Sequence, residues 1–306
     1  MLVFLNPAAG GGRARNRWER FAPGIADQEE IRVRLLDGQT NALHLLVDAV
    51  GRGENHIVAA GGDGTVNAVL NLLMHERLRD AMDRLRFGAI GLGSSNDFHK
   101  PTTATLEGCP YKLNFARARY RDVGLLRAEI DGTRVYRYFM SNASIGATAD
   151  ANREFNEPDR LLRDLKHLFT PAAILYAALK TIARHRNVTA MIASSETGTI
   201  RVCLSNLGVV KNNHFSGNLR YDAPARLDDG LLGVHLCHGM TSPELIHVLL
   251  ALSSGRFSGL QKTRSWWSNR VSVRTSSLIN VEFDGEILCT DTVSFTVLHN
   301  AIQVCP

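Results

Sequence analysis

The run His56-Ile57-Val58-Ala59-Ala60-Gly61-Gly62-Asp63-Gly64-Thr65-Val66-Asn67-Ala68-Val69-Leu70 reads in three pieces. His56–Ala60 is apolar without alternation, the signature of a strand buried on both faces. Gly61–Thr65 breaks that strand. Val66–Met74 then has helical spacing. A strand that ends in glycines and opens a helix is suited to holding an anion. The glycines let backbone approach closely, and the helix start offers unpaired N–H groups at a positive dipole end. Thr65 can cap the helix or bond a phosphate, and Asp63 can face a Mg²⁺ that bridges phosphates. Spacing alone also allows a tight turn with a structural aspartate.

The same unit recurs on either side. Leu2–Leu5 is a short apolar strand that runs into Asn6-Pro7-Ala8-Ala9-Gly10-Gly11-Gly12, followed by Arg13 and Arg15. Ala14–Ala26 reads as a helix and Ile31–Leu36 as a strand. Thr40 reads as the N-cap of an apolar-periodic Leu43–Val50. Phe87–Leu92 is a further strand, continued by Gly93-Ser94-Ser95-Asn96-Asp97. Strand, loop and helix in repetition predict parallel βαβ units, whose ligands gather at the carboxyl ends of the strands. Three glycine-rich or polar loops fall at those ends. No Gly-Lys dipeptide occurs, so there is no Walker A loop. Gly91–Asn96 misses the dinucleotide fingerprint at its third glycine.

The pattern changes after Asp122. Leu125–Ile130, Asp131-Gly132 and Val135–Met140 predict a hairpin. Short β-rich segments follow at Thr199–Leu204, Leu231–Cys237, Val271–Arg274, Ile279–Phe283 and Val293–His299, interrupted by helices around Ala172–Arg184 and Pro243–Leu252. This predicts an α/β domain over 1–122 and a β-rich, antiparallel, sandwich-like domain over 123–295. Period 2 in Phe283-Asp284-Gly285-Glu286 puts Asp284 and Glu286 on one strand face, where one carboxylate can raise the pKa of the other. An Asp-Gly turn is the alternative. Asp228-Asp229 crowds like charge that a cation would relieve, or lies in an exposed turn. Ala151–Arg186 holds seven Arg/Lys against four Asp/Glu. Its helix, with Lys180, Arg184 and Arg186 at one end, suits an anionic membrane or simply a solvated face. Trp266-Trp267 fits an interfacial anchor or the core.

The 306 residues are 44% apolar and 21% charged, which excludes a disordered, collagenous or coiled-coil chain. No apolar run approaches the roughly 18 residues of a membrane span. The start lacks a basic region ahead of Met1–Leu5, which argues against a secretory signal. The net charge of +5 favours anionic partners, but it is dispersed and matches no nucleic-acid-binding motif. Five scattered cysteines without a CxxC pair suit free thiols in a reducing cytoplasm.

Together these motifs resemble the catalytic domain of the diacylglycerol kinase family. The likeness is to soluble bacterial lipid kinases and the sphingosine-kinase-like group, within the superfamily that includes NAD kinases. Asn6-Pro7 with Gly10 and Gly12 is similar to the opening loop, Gly61–Thr65 with Val66-Asn67 to the nucleotide loop, and Asn96-Asp97-Phe98 to the third loop. Asn213–Gly217, Ala223-Pro224-Ala225 and Asp228-Asp229-Gly230-Leu231-Leu232 resemble a signature of the second domain, and Asp284-Gly285-Glu286 its catalytic strand.

The resemblance implies a cleft between the two domains and a last segment, 296–306, that returns to the first. It implies ATP on Asn6, Pro7, Gly10, Gly12, Thr40, Gly61, Gly62, Asp63, Gly64, Thr65, Asn67, Ser94, Asn96 and Asp97, with Asp97 and Asp122 near the active site. Glu286 would be the base that deprotonates a lipid hydroxyl, assisted by Asp284. A structural Mg²⁺ would sit on Asp229 and the carbonyls of Arg226 and Leu231. The expected protein is a cytoplasmic lipid kinase that touches the inner membrane face transiently, with sheet edges that allow a homodimer. Ala68 stands where the family has glutamate, Gly93–His99 departs from Gly-Thr-Gly-Asn-Asp-Phe-Ala, and His214–Leu219 has fewer glycines. Ala68 and the altered third loop keep open a non-catalytic nucleotide- or lipid-binding regulator. The shared Gly-Gly-Asp-Gly motif keeps open, against the second-domain signatures, an NAD-kinase-like enzyme.

Overall fold

The computed structural model describes residues 1–26, 30–38, 41–168, 170–223 and 225–306, without the side chains of 166–171. The chain divides into two units, Met1–Asp122 with Asn300–Pro306, and Val123–His299.

In the first unit, β1 (Leu2–Leu5), α1 (Ala14–Phe21), β2 (Arg32–Leu35), α2 (Ala42–Gly51), β3 (His56–Gly61), α3 (Asp63–Leu73) and β4 (Arg86–Gly91) alternate along the chain. The strands are parallel in the order β2-β1-β3-β4, with Val3 opposite Val33 and Val58, and Ala59 opposite Ala89. β1 is wholly buried, as a strand covered on both faces must be. Trp18 and Phe21 of α1 pack with Val3, Leu5 and Ile90 in one core cluster. β2, at the sheet edge, is largely exposed. A short pair, β5 (Thr105–Leu106) and β6 (Cys109–Lys112), adds to β4 antiparallel, with Ala89 opposite Lys112. Asn41 caps α2 and accepts from the His44 N–H at 3.1 Å, as an asparagine amide oxygen, among the strongest N-cap acceptors, can do. Thr40 lies outside the described residues.

The second unit runs β7 (Arg119–Ile130), β8 (Thr133–Phe139), β9 (Asn142–Gly146), α4 (Ala147–Asn156), α5 (Arg160–Leu168), α6 (Thr170–Arg184), β10 (Val188–Ser194), β11 (Gly198–Val210), β12 (His214–Phe215), β13 (Leu219–Arg220), β14 (Leu232–His238), α7 (Ser242–Ser253), β15 (Thr263–Ser268), β16 (Arg270–Phe283) and β17 (Glu286–Val304). Antiparallel strands follow the order β15-β14-β11-β10-β16-β17, and β9 pairs with both β11 and β16. Phe139, Ile145, Leu207, Val234, Phe283 and Phe295 lie in its core. A second cluster joins Phe215, Tyr221, Phe257 and the α7 residues Leu245, Val248 and Leu252. α4 and α5 add two helices to the two expected from the sequence. α5 carries leucines at 161, 162, 165 and 168 between Arg160, Arg163, Asp164 and Lys166, so a reading by charge sees a basic stretch where the leucine spacing is helical.

Candidate functional site

The first unit draws three loops together at the carboxyl ends of β1, β3 and β4. The Asn6 side chain donates to Thr65 Oγ1 at 3.1 Å and accepts from the Ala8 N–H at 3.0 Å. The Phe98 N–H donates to Asp63 Oδ1 at 3.0 Å, tying the second loop to the third. Arg17 donates to the carbonyls of Leu92 and Gly93 at 3.1 and 2.9 Å. Two glycines make this convergence possible. A β-carbon on Gly93 would fall 2.4 Å from the Gly62 Cα. One on Gly10, whose φ is +61°, would fall 2.6 Å from the Leu92 carbonyl oxygen.

Helix α3 starts at Asp63 with Gly62 as its N-cap. Thr65 therefore sits inside the first turn and does not cap the helix, because Asp63 and Gly64 already adopt helical conformation. Gly61, Gly62, Asp63 and Gly64 form the junction of β3 with that turn. Asn67 is buried and accepts from the Asn71 side chain at 3.1 Å, so it braces α3 from within. Pro7, Gly10 and Gly12 line the first loop. Asn96, at φ +50°, closes the third loop by accepting from the Gly93 N–H at 3.1 Å, and Ser94 is exposed at that loop's tip. Asp97 is buried and paired with Lys100 at 2.7 Å. Asp122 accepts from the Asn300 N–H at 2.9 Å and thereby holds the returning end of β17. Ala68 is exposed on α3. Burial pushes the His99 imidazole down to about 4, so it is neutral near pH 7.

In the second unit the Asp284–Glu286 segment differs from the one-face strand. Phe283 pairs with Glu286, which leaves Asp284-Gly285 as the two-residue loop of the β16–β17 hairpin. Both loop residues have positive φ, +46° and +93°, as this tight turn demands of Asp-Gly. The two carboxylates consequently part. Asp284 is buried and accepts the N–H groups of Met140, Ser141 and Asn142 at 2.8, 2.9 and 3.0 Å. Glu286 is exposed. A third carboxylate, Glu282, is buried beside the turn. It accepts from Asn142 Nδ2 at 2.9 Å, Ser144 Oγ at 2.8 Å and the Gly285 N–H at 2.8 Å. Sequence reasoning missed Glu282, since the alternation Val281-Glu282-Phe283 assigns it to an outward face. Asp284 and Glu282 accept from backbone N–H groups, the Asn142 amide and the Ser144 hydroxyl. Glu286 is the carboxylate that faces solvent.

The residues expected to hold a structural Mg²⁺ do not fit one. The Lys211 ammonium donates to Asp229 Oδ1 at 3.0 Å and to the Leu231 carbonyl at 2.6 Å, and so covers two of the three expected ligands with a positive charge. Arg226 opens the same loop.

Residues 1–123 match the diacylglycerol kinase catalytic domain, and residues 141–306 match the YegS C-terminal NAD kinase beta sandwich-like domain. The chain belongs to the diacylglycerol kinase catalytic-domain family, in the form that carries a YegS-type second domain. It is a lipid kinase. It is 28% identical over 295 residues to a "Probable lipid kinase YegS-like" of Stenotrophomonas maltophilia, covering 93% of this chain and 88% of that one. It is 26% identical over 304 residues to a protein of the same name from Pseudomonas savastanoi, covering 96% and 90%. A diacylglycerol kinase structure from Bacillus anthracis superposes with a TM-score of 0.67 at 16% identity, covering 99% of this chain and 95% of that one, which shows a shared fold.

Proposed function

We propose that this chain transfers the γ-phosphoryl group of magnesium-bound ATP to a hydroxyl of a diacylglycerol-like or related amphipathic lipid. The observation that carries the reading is the convergence of the three loops of the first unit through Asn6–Thr65, Gly62–Gly93 and Asp63–Phe98. Backbone loops at the carboxyl ends of parallel strands, with a helix start and Arg17 among them, suit a polyphosphate. Glu286 takes the proton of the lipid hydroxyl. The freed oxygen forms a bond to the γ-phosphorus as the β–γ bridging bond breaks and ADP leaves. The divalent ion that accompanies the nucleotide as part of the substrate neutralises phosphate charge. Asp284 is a positioning residue: it fixes the turn from which Glu286 projects.

Access to a lipid surface is supported by apolar side chains left exposed on the second unit's helices. Leu161, Leu175 and Leu179 lie on α5 and α6, and Ile246 and Leu250 on α7. The charge of Lys180 is already taken by Glu154 and Asp159, and Arg184 lies 3.9 Å from Glu154, so basic attraction rests chiefly on Arg186. Among the described residues no helix is long and apolar enough to cross a membrane. The proposal places the enzyme at the cytoplasmic face, reaching its substrate from the aqueous side.

The test is transfer of labelled phosphate from ATP in mixed micelles, with diacylglycerol, monoacylglycerol, ceramide, sphingosine, phosphatidylglycerol and NAD offered separately. One labelled lipid is expected. Glu286→Gln should lower kcat by about 10²–10⁴-fold while melting as the parent does, since the side chain is exposed. Full activity in that variant removes Glu286 from the mechanism. Phosphorylation of NAD without lipid turnover overturns the substrate assignment.

A further inference from the structure

Lys211 follows the last residue of β11 and its side chain is 1% exposed. A lysine so buried needs its charge met by acceptors. Two are in place, Asp229 Oδ1 at 3.0 Å and the Leu231 carbonyl at 2.6 Å. The same Asp229 oxygen also accepts the Leu231 N–H at 3.0 Å, which folds the 229–231 backbone around the ammonium. A loop carboxylate and a loop carbonyl converging on one point is the donor set of a hard cation. Here the point is filled by a charge belonging to the chain. An added divalent ion would meet a buried like charge already seated on the acceptors the ion needs.

We infer that Lys211 is a built-in counter-cation that replaces a structural divalent ion, so that the 226–231 loop is clamped to the end of β11 without metal. This does not rest on the proposed reaction. The clamp also reaches the turn that carries Glu286. The backbone N–H groups of Lys211 and Asn212 donate to the Ser141 carbonyl at 2.8 and 2.9 Å. The N–H of the same Ser141 donates to Asp284 Oδ1 at 2.9 Å. One residue thus has the lysine clamp on its carbonyl and the Asp284 nest on its amide.

The test uses the full chain without nucleotide. Metal content is measured after gel filtration, and thermal melting of the second unit is followed in EDTA and in millimolar Mg²⁺. The wild type should carry no stoichiometric divalent ion and melt at the same temperature in both. Lys211→Met, which keeps length and removes charge, should melt about 10 °C lower. Lys211→Ala, which leaves room beside Asp229, should regain part of its lost melting temperature in Mg²⁺ but not in EDTA. The inference is overturned if the wild type loses several degrees in EDTA, if it retains one Mg²⁺ per chain that Asp229→Asn releases, or if Lys211→Met melts like the wild type. Should either lysine variant fail to fold, the wild-type metal and melting measurements still decide.

Discussion

Asp284 offers the sharpest test of how the second unit is held. Three backbone N–H groups, from Met140, Ser141 and Asn142, end on its two oxygens at 2.8–3.0 Å. Asp284→Ala leaves all three without that acceptor, at about 1–3 kcal/mol for each buried donor. It also puts alanine at φ +46°, which adds roughly 1 kcal/mol. A loss of about 5 kcal/mol is expected. Asp284→Asn behaves differently. Its single oxygen can keep the Ser141 and Asn142 donors that now share Oδ1, while its amide group faces the Met140 N–H. Asn-Gly is moreover a preferred pair for this turn. The expected loss is about 2 kcal/mol. Urea unfolding read by Trp266 and Trp267 in a Trp18→Phe background reports on this unit alone, so the two units need not unfold in one step. If the two variants fall within 1 kcal/mol of each other, or asparagine is the worse, the three-donor account is wrong.

Other perturbations follow from the geometry. Gly93→Ala would set a methyl group 2.4 Å from the Gly62 Cα, where backbone must give way. It should destabilise the first unit by about 1–3 kcal/mol and weaken ATP binding at least tenfold in calorimetry; an unchanged Kd would separate the loop junction from nucleotide binding. Burial holds His235 neutral, with its pKa lowered from 6.5 to about 3. Below pH 6.5 the unfolded chain therefore binds a proton that the folded chain does not. Stability should fall by about 1.4 kcal/mol per pH unit from this histidine between pH 6.5 and about 3. His235→Phe should flatten that slope relative to the wild type in urea midpoints for the second unit, and an identical slope in both would clear His235 of the acid sensitivity.

The α/β alternation of the first unit was legible because β1, β3 and β4 are short, uninterrupted apolar runs ended by glycine or polar turns. The 125–140 hairpin was legible for a similar reason: Asp131-Gly132 supplies two positive φ angles, +49° and +74°. The identical chemistry at Asp284-Gly285 was legible as one of the two readings its spacing allows, and the structure takes the turn. Glu282 and Lys211 were not legible at all. Their burial comes from β9 and the 229–231 loop, which are distant in sequence, and a charged residue in an alternating or glycine-poor stretch looks solvent-facing until those partners are in place. The helices α4 and α5 are masked by the charge of their stretch, although Leu161, Leu162, Leu165 and Leu168 of α5 have helical spacing; Leu162 is buried with Ala173 and Ala177 of α6 in a small core of its own.

The returning end of the chain has a consequence for synthesis. Gln303 and Val304 pair with Arg86 and Phe87, and the Cys305 N–H donates to the Phe87 carbonyl. A ribosome releases residues 1–122 long before these partners exist. Until the last seven residues arrive, half of the β4 border stands open as a template for other nascent strands. The first unit, though earliest made, is the last to be sealed.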